Sequence, residues 1–298
     1  MDENTNQKLN SDKTPTYYLS IVFAILAAAM YAVSSPISKI LLNDVSPIVM
    51  ASLLYLGAGI GMAIVNQFLN RKGTREELPL TKKELPFVIG MIILDIAAPL
   101  LLMTGLMTSD PAVVSLLNNF EIVATSIIAY FIFKELIPKK LRIAIVLITI
   151  ASIILSANDI STLKFSAGSI LVLLATICWG LENNCTRMLS SKDPLQVVII
   201  KGIGSGLGSL LNVFMTKTSF PELKYIIAAL ILGFFSYGIS IFMYVRAQRD
   251  LGAARTSAFY AVGPFIGVLL SLIIFREIPG ISFFIAMAIM ALGAYFAL

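Results

Sequence analysis

Apolar runs of about 20 residues recur along the whole chain, at approximately 17–41, 47–69, 85–107, 111–133, 140–157, 166–188, 195–215, 223–245, 254–275 and 279–297. A helix of that length spans the roughly 30 Å hydrocarbon core of a bilayer, so each run is a candidate transmembrane helix. Backbone amides in lipid cannot bond to water, which leaves the helix as the natural fold for such runs. The composition agrees: 58% of the 298 residues are hydrophobic and 13% are charged, with a mean hydropathy of +0.89. Soluble domains hold only about 45–50% apolar residues. The expectation is an all-α, multi-pass membrane protein of ten transmembrane helices.

The polar segment 1–16 precedes the first run. That run is too long for a signal peptide and lacks a small-residue cleavage site, so it is expected to stay in the protein. Assigning helix ends alternately places sixteen Lys and Arg residues on the side of the polar tail, among them the basic loop 70–84 and Lys134, Lys139, Lys140 and Arg142. Only Lys39, Lys164, Lys217, Lys224 and Arg276 fall on the other side. The positive-inside rule then puts both termini in the cytoplasm, and the net charge of +5 is an orientation signal of a cell-membrane protein rather than a nucleic-acid surface. Cys178 and Cys185 lie seven apart on one predicted helix, which suits neither a disulfide framework nor a metal site and suggests two buried free thiols. No histidine is present, so proton chemistry falls to Asp, Glu, Lys or Tyr.

The chain repeats itself. Phe133-Lys134-Glu135 returns 142 residues later as Phe275-Arg276-Glu277, and the same offset carries Ser115 onto Ser257. Pro47 is followed ten residues on by a glycine run from Gly57 to Gly61, and Pro194 likewise by one from Gly204 to Gly208. These glycines lie inside apolar runs without dinucleotide-loop spacing, so close helix packing is the expected use. Two repeats result, 17–157 and 166–298, each of five spans. Five is odd, so the second must enter the membrane inverted, an arrangement shared by many alternating-access transporters.

Charges inside a membrane are costly and mark functional sites by default. Asp95 and Glu121 fall near the middle of their spans, whereas Glu182 and Lys201 each lie six residues from a cytoplasmic end, about 9 Å deep, and are plausible ion-pair partners. Neither Asp95 nor Glu121 has an obvious cation at its own depth. The duplication separates these groups from the scaffold, because Asp95, Glu121, Glu182 and Lys201 answer to Tyr237, Gly263, Ser34 and Leu54, whereas Glu135 answers to Glu277. Glu135 and Glu277 are therefore expected to be structural and the unmatched four to serve a substrate or coupling site. Polar stripes surround them at helical spacing: Asn118, Glu121 and Thr125; Trp179, Glu182 and Thr186; Tyr237, Ser240 and Tyr244. Pro36, Pro99 and Pro264 release the carbonyls of Ala32, Asp95 and Tyr260, which a helix lining a polar cavity tolerates.

Two five-span halves, Trp179-Gly180 in the first span of the second half, Gly105 and Gly252 before spans four and nine, and the paired Phe-Lys-Glu and Phe-Arg-Glu endings together resemble the EamA-type family of the drug/metabolite transporter superfamily. The resemblance covers nearly the whole chain after residue 16. It implies a ten-helix fold with a cavity between the halves and export of small metabolites, amino acids or drugs. The chain departs from the family pattern at Tyr31-Ala32, where Trp-Gly is common, at Glu121-Ile122, where Glu-Pro is common, and at Lys201, where Arg is frequent.

The functional expectation is a secondary transporter that exports an amino acid, an amine or a drug-like cation. Asp95, Glu121, Asn118, Thr125, Trp179, Glu182, Lys201, Tyr237, Tyr244 and Tyr260 are the candidate substrate or coupling residues, with Pro36, Pro99 and Pro264 structural. A carboxylate in an apolar cavity has its charged form disfavoured, so Glu121 and Asp95 form the expected titrating pair, with protons as the coupling ion. A Lys201 free of Glu182 would instead hold the carboxylate of a zwitterion. A sensor or scaffold without transport and a facilitative channel remain as alternatives. No nucleic-acid partner, metal or cofactor is expected, nor an enzyme, since the sequence has no Ser-Lys or paired-Asp motif and no soluble catalytic domain.

Overall fold

The computed structural model describes residues 15–70, 78–134, 137–159 and 164–297. Within them the chain forms ten successive helical rods. The first is α1 (Pro15–Ala32) with α2 (Ser34–Leu41), the second α3 (Pro47–Asn70), the third α4 (Leu85–Thr108), the fourth α5 (Pro111–Leu117) with α6 (Phe120–Phe133), and the fifth α7 (Lys139–Ser156). A short ladder of β1 (Ala157–Asp159) and β2 (Lys164–Phe165) leads to α8 (Ala167–Leu189) and α9 (Pro194–Met215). The eighth rod joins α10 (Leu223–Gly233) to α11 (Ser240–Leu251) through a π-helical turn, Phe234–Ile239; the ninth is α12 (Ala253–Tyr260) with α13 (Val262–Phe275), and the tenth α14 (Ile281–Ala297). Seven stretches of these rods are long and apolar enough to cross a membrane, and α14 is a shorter apolar helix. The remaining two are α7, which opens on Lys139, Lys140 and Arg142, and α8, which carries Glu182, Asn183, Asn184 and Arg187.

Local chemistry sets the rod ends. Asp110 and Asp193 accept hydrogen bonds from the amides of Ala112 and Leu195 at 2.6 and 2.9 Å, and each is followed by a proline in the first helical position, where the missing N–H costs nothing. At the other end, Lys134 (φ 58°) and Arg276 (φ 55°) close α6 and α13 in the left-handed conformation. Left-handed backbone is disfavoured for L-residues by roughly 1–2 kcal/mol, yet both halves use it at the middle residue of the duplicated tripeptide. Glu277 is exposed just past its helix end, and Glu135 lies outside the described residues.

The structure refines four sequence expectations. The fold is all-helical among the described residues, as expected, apart from one short ladder in which Ala157 pairs with Phe165 and Asp159 with Lys164. The first, fourth and ninth rods are not continuous but break at Val33, at Asn118 and Asn119, and at Ala261. Pro36 and Pro264 explain two breaks by withholding the amide that would bond the carbonyl four residues back. In the fourth rod the amides of Glu121 and Ile122 bond to the carbonyls of Asn118 and Asn119 at 3.1 Å each, a tightened turn. Asn119 and Ala261 are 142 residues apart, so these two breaks repeat as well. Pro99 breaks nothing; α4 runs straight through it. The cysteines are half-buried free thiols rather than buried ones.

Packing between the rods follows the repeat. Helix α3 lies along α9, and α7 along α14; α4 packs on α8 as α11 packs on α1, and α6 on α8 as α13 on α1. Each of these contacts maps onto itself or onto another when the halves are exchanged. The glycine runs permit the closest of them, since a β-carbon on Gly202 would overlap the backbone of Gly59, and one on Gly57 the backbone of Leu230.

Candidate functional site

The site forms where α1, α3, α4, α6, α8, α9, the eighth rod and α12 converge. Lys201, buried on α9, has its Nζ 2.9 Å from Glu182 Oε1 and 3.2 Å from Asp95 Oδ2. Glu182 also accepts a hydrogen bond from Thr186 Oγ1, one turn along α8, and Asp95 Oδ1 accepts one from the Tyr55 hydroxyl at 2.6 Å. The Lys201–Glu182 pair was legible from matching depth. The second carboxylate was not: Asp95 has a cation after all, because the long lysine side chain reaches across from α9 to the middle of α4.

Glu121 stands apart from this cluster. Its Oε1 accepts a hydrogen bond from Asn183 Nδ2 at 2.5 Å, and no cation among the described residues pairs with it. The same Nδ2 lies 3.3 Å from Thr125 Oγ1, while Asn184 Nδ2 donates to the carbonyls of Gly180 at 2.8 Å and Thr125 at 3.2 Å. Gly180 makes this approach possible, since a β-carbon there would lie 2.6 Å from the β-carbon of Ala124.

A cavity of about 50 Å³ separates the Lys201 cluster from Glu121, lined by both glutamates, Lys201 and a set of aromatic rings. Tyr31 is the hub, with ring centres 5.6 Å from Tyr237, 5.8 Å from Tyr260 and 6.2 Å from Trp179. Tyr244 stacks edge-on against Tyr260 at 5.0 Å, and Tyr55 against Tyr237 at 5.2 Å. The volume holds a few water molecules and no organic solute, so a solute enters only if the rods move.

Seven of the ten predicted site residues therefore line one cavity: Glu121, Trp179, Glu182, Lys201, Tyr237, Tyr244 and Tyr260. Asp95 sits behind it, fully buried beneath Lys201. Thr125 is buried behind Asn183, and Asn118 lines a smaller neighbouring cavity with Pro264. Tyr31, Tyr55 and Asn183 belong to the site and were missed. Tyrosine in an apolar helix reads as ordinary packing, but Asn183 beside Glu182 in a membrane helix was a usable signal.

The electrostatics favour cations. Three carboxylates face one ammonium, and the π faces of tyrosine and tryptophan also attract positive charge, by roughly 0.5–2 kcal/mol per contact.

The model of the EamA-like transporter family matches residues 18–157 and again 166–298. An uncharacterized transporter of Methanothermobacter thermautotrophicus is 27% identical over 278 residues, covering 87% of this chain and 79% of that protein. The uncharacterized transporter YyaM of Bacillus subtilis is 23% identical over 202 residues, 64% of this chain and 66% of its own length. A solved crystal structure superposes with a TM-score of 0.70 at 15% identity, over 93% of this chain and 95% of that one, a likeness of fold alone.

Proposed function

The chain belongs to the EamA-like transporter family, a family of membrane transporters, and from that premise we infer what it carries and how. It is a secondary transporter of a small organic solute, an amine or drug-like cation foremost, exported across the cell membrane by alternating access. Its rods form ten membrane crossings in two inverted five-rod repeats, 17–157 and 166–298, with both termini cytoplasmic. The exchange symmetry of the rod contacts supports the repeats, and the basic connections at 70–84 and 134–142 support the orientation.

One observation carries the choice of substrate and coupling. Glu121 opens on an aromatic-walled cavity with an amide for a partner and no paired cation among the described residues, so a proton or a substrate ammonium completes its environment. Export then follows from competition for one carboxylate: the cation leaves when a proton takes its place, and alternating exposure of the site to the two sides turns the proton gradient into solute movement. Lys201 is held by two carboxylates, which favours an amine over a zwitterionic amino acid, since the carboxylate of a zwitterion would have to displace Glu182 or Asp95. Asp95 positions Lys201, so the coupling role is assigned first to Glu121.

A thermal-shift screen of the purified protein against quaternary amines, polyamines and amino acids, followed by flux in proteoliposomes under an imposed pH gradient, tests this function. Amines should raise Tm and show saturable, gradient-driven flux. Ligand-induced shifts without flux would make the protein a sensor, and flux that fails to saturate would make it a channel.

A further inference from the structure

Two smaller cavities continue from the Glu121 side of the central one. The nearer, about 20 Å³, is lined by Asn118, Asn119 and Ser257 among others, and shares Tyr31, Glu121 and Tyr260 with the central cavity. The farther, about 10 Å³, is lined by Ser35, Ser115 and Gly267 among others, and shares Tyr31, Asn118 and Pro264 with the nearer. Each has room for about one water molecule, which needs roughly 10–15 Å³ of this kind of space.

Their walls carry polar atoms that the protein leaves unpaired. Ser115 Oγ, Asn118 Oδ1 and both side-chain amide atoms of Asn119 have no hydrogen-bond partner among the described residues, although Ser115 is 2%, Asn118 7% and Asn119 1% exposed. Ser38 Oγ, one turn beyond Ser35 on α2 and outside the walls of all three cavities, is equally buried and has no partner among the described residues. Buried polar groups are nearly always satisfied, by ordered water where no protein group is near. The atoms also form a sequence in depth. Glu121 lies mid-rod, Ser115 about 6 Å from the start of α5, and Ser35 and Ser38 about 9 and 5 Å from the end of α2, at 1.5 Å per residue. Both of those helix ends lie on the side away from the basic connections. The backbone breaks at Asn118, Asn119 and Ala261 flank the nearer cavity, where the interrupted helices leave room beside the side chains.

We propose that a single file of water molecules runs from Glu121 past Asn119, Asn118 and Ser115 to Ser38 and the outer end of the bundle, giving Glu121 an aqueous route separate from the solute's. The role of the route rests on Glu121 as coupling group: a protonated Glu121 passes its proton to the first water and is left as the carboxylate, and the reverse transfer loads it. An organic solute does not fit the file and uses the aromatic-walled cavity.

Silver ion, comparable in size to water and reactive with thiols, tests the path without knowledge of the substrate. In a Cys178→Ala, Cys185→Ala background, Ser38→Cys, Ser115→Cys and Asn118→Cys are each exposed to Ag⁺ outside sealed, uniformly oriented vesicles, and the surviving thiols are counted with a fluorescent maleimide after denaturation. Ser152→Cys is the comparator, because Ser152 is also buried (1% exposed) and without a partner among the described residues but lies on α7, a rod that lends no residue to any of the three cavities, and reacts only through local opening. The path predicts reaction at least about tenfold faster than the comparator at all three positions. Rates equal to the comparator's, or reaction only from the opposite side, overturn it. Each serine variant changes one oxygen to sulfur, so positions 38 and 115 decide the matter if Asn118→Cys fails to fold. Wild-type flux measured alongside separates the two ideas: flux with unreactive cysteines removes the path alone, and reactive cysteines without flux remove the transporter function alone.

Discussion

Asn183 on α8 donates its side-chain amide to Glu121 on α6 across 2.5 Å, and this bond is one of those that tie the two halves of the chain together beside the cavity. Asn183→Leu keeps the volume but leaves a carboxylate without its donor. The expected loss is about 1–3 kcal/mol of unfolding free energy, the usual penalty for stranding a buried polar group. Unfolding in mixed micelles measures it, and an unchanged transition would mean that Glu121 finds another partner.

Lys201 sits between Glu182 and Asp95, so Lys201→Met strands two carboxylates at once. Removing one member of a buried ion pair costs about 3–5 kcal/mol, whereas replacing the whole cluster with neutral groups is often tolerated. The triple variant Lys201→Met, Asp95→Asn, Glu182→Gln should therefore unfold closer to wild type than Lys201→Met does. Losses that simply add across the three substitutions would show that the groups act independently.

Gly202 meets the backbone of Gly59 where α9 crosses α3, and a methyl group there has nowhere to go. Gly202→Ala should destabilise the protein by about 1–3 kcal/mol through forced separation of the rods. Gly280→Ala is the control, since nothing lies within 4 Å of its added carbon. Equal thermal stability of the two variants would contradict the close packing of the glycine runs.

Lys39, at the end of α2, donates to the carbonyls of Leu106 at 2.6 Å, Met107 at 3.0 Å and Ser109 at 3.1 Å, capping the last turn of α4. Partial exposure weakens the contribution, so Lys39→Met is expected to cost about 1 kcal/mol. A Tm unchanged within error would mean that water caps the helix equally well.

How much of this was legible in the sequence depended on what each feature required. The apolar runs and the duplicated tripeptide stand out because lipid and repetition both leave marks in one dimension. Glu121, Glu182 and Lys201 stand out because charge in an apolar run is conspicuous. Asp95 was visible as a charge, yet its partner was not, since depth counted along straight rods takes no account of the reach of a lysine. Tyr31 as the hub of the aromatic wall, and the π-helical turn that presents Tyr237, arise only when rods from both halves meet. The break at Asn118 and Asn119 has no proline to announce it, unlike its counterpart before Pro264.

The most direct test of the central claim is proton movement driven by an amine in proteoliposomes, read with a pH-sensitive dye, for wild type and Glu121→Gln. The account predicts that a quaternary or aromatic amine which raises the Tm of both proteins drives saturable proton flux in wild type and none in Glu121→Gln. Equal amine-driven proton flux in the two would remove Glu121 from the coupling and contradict the mechanism.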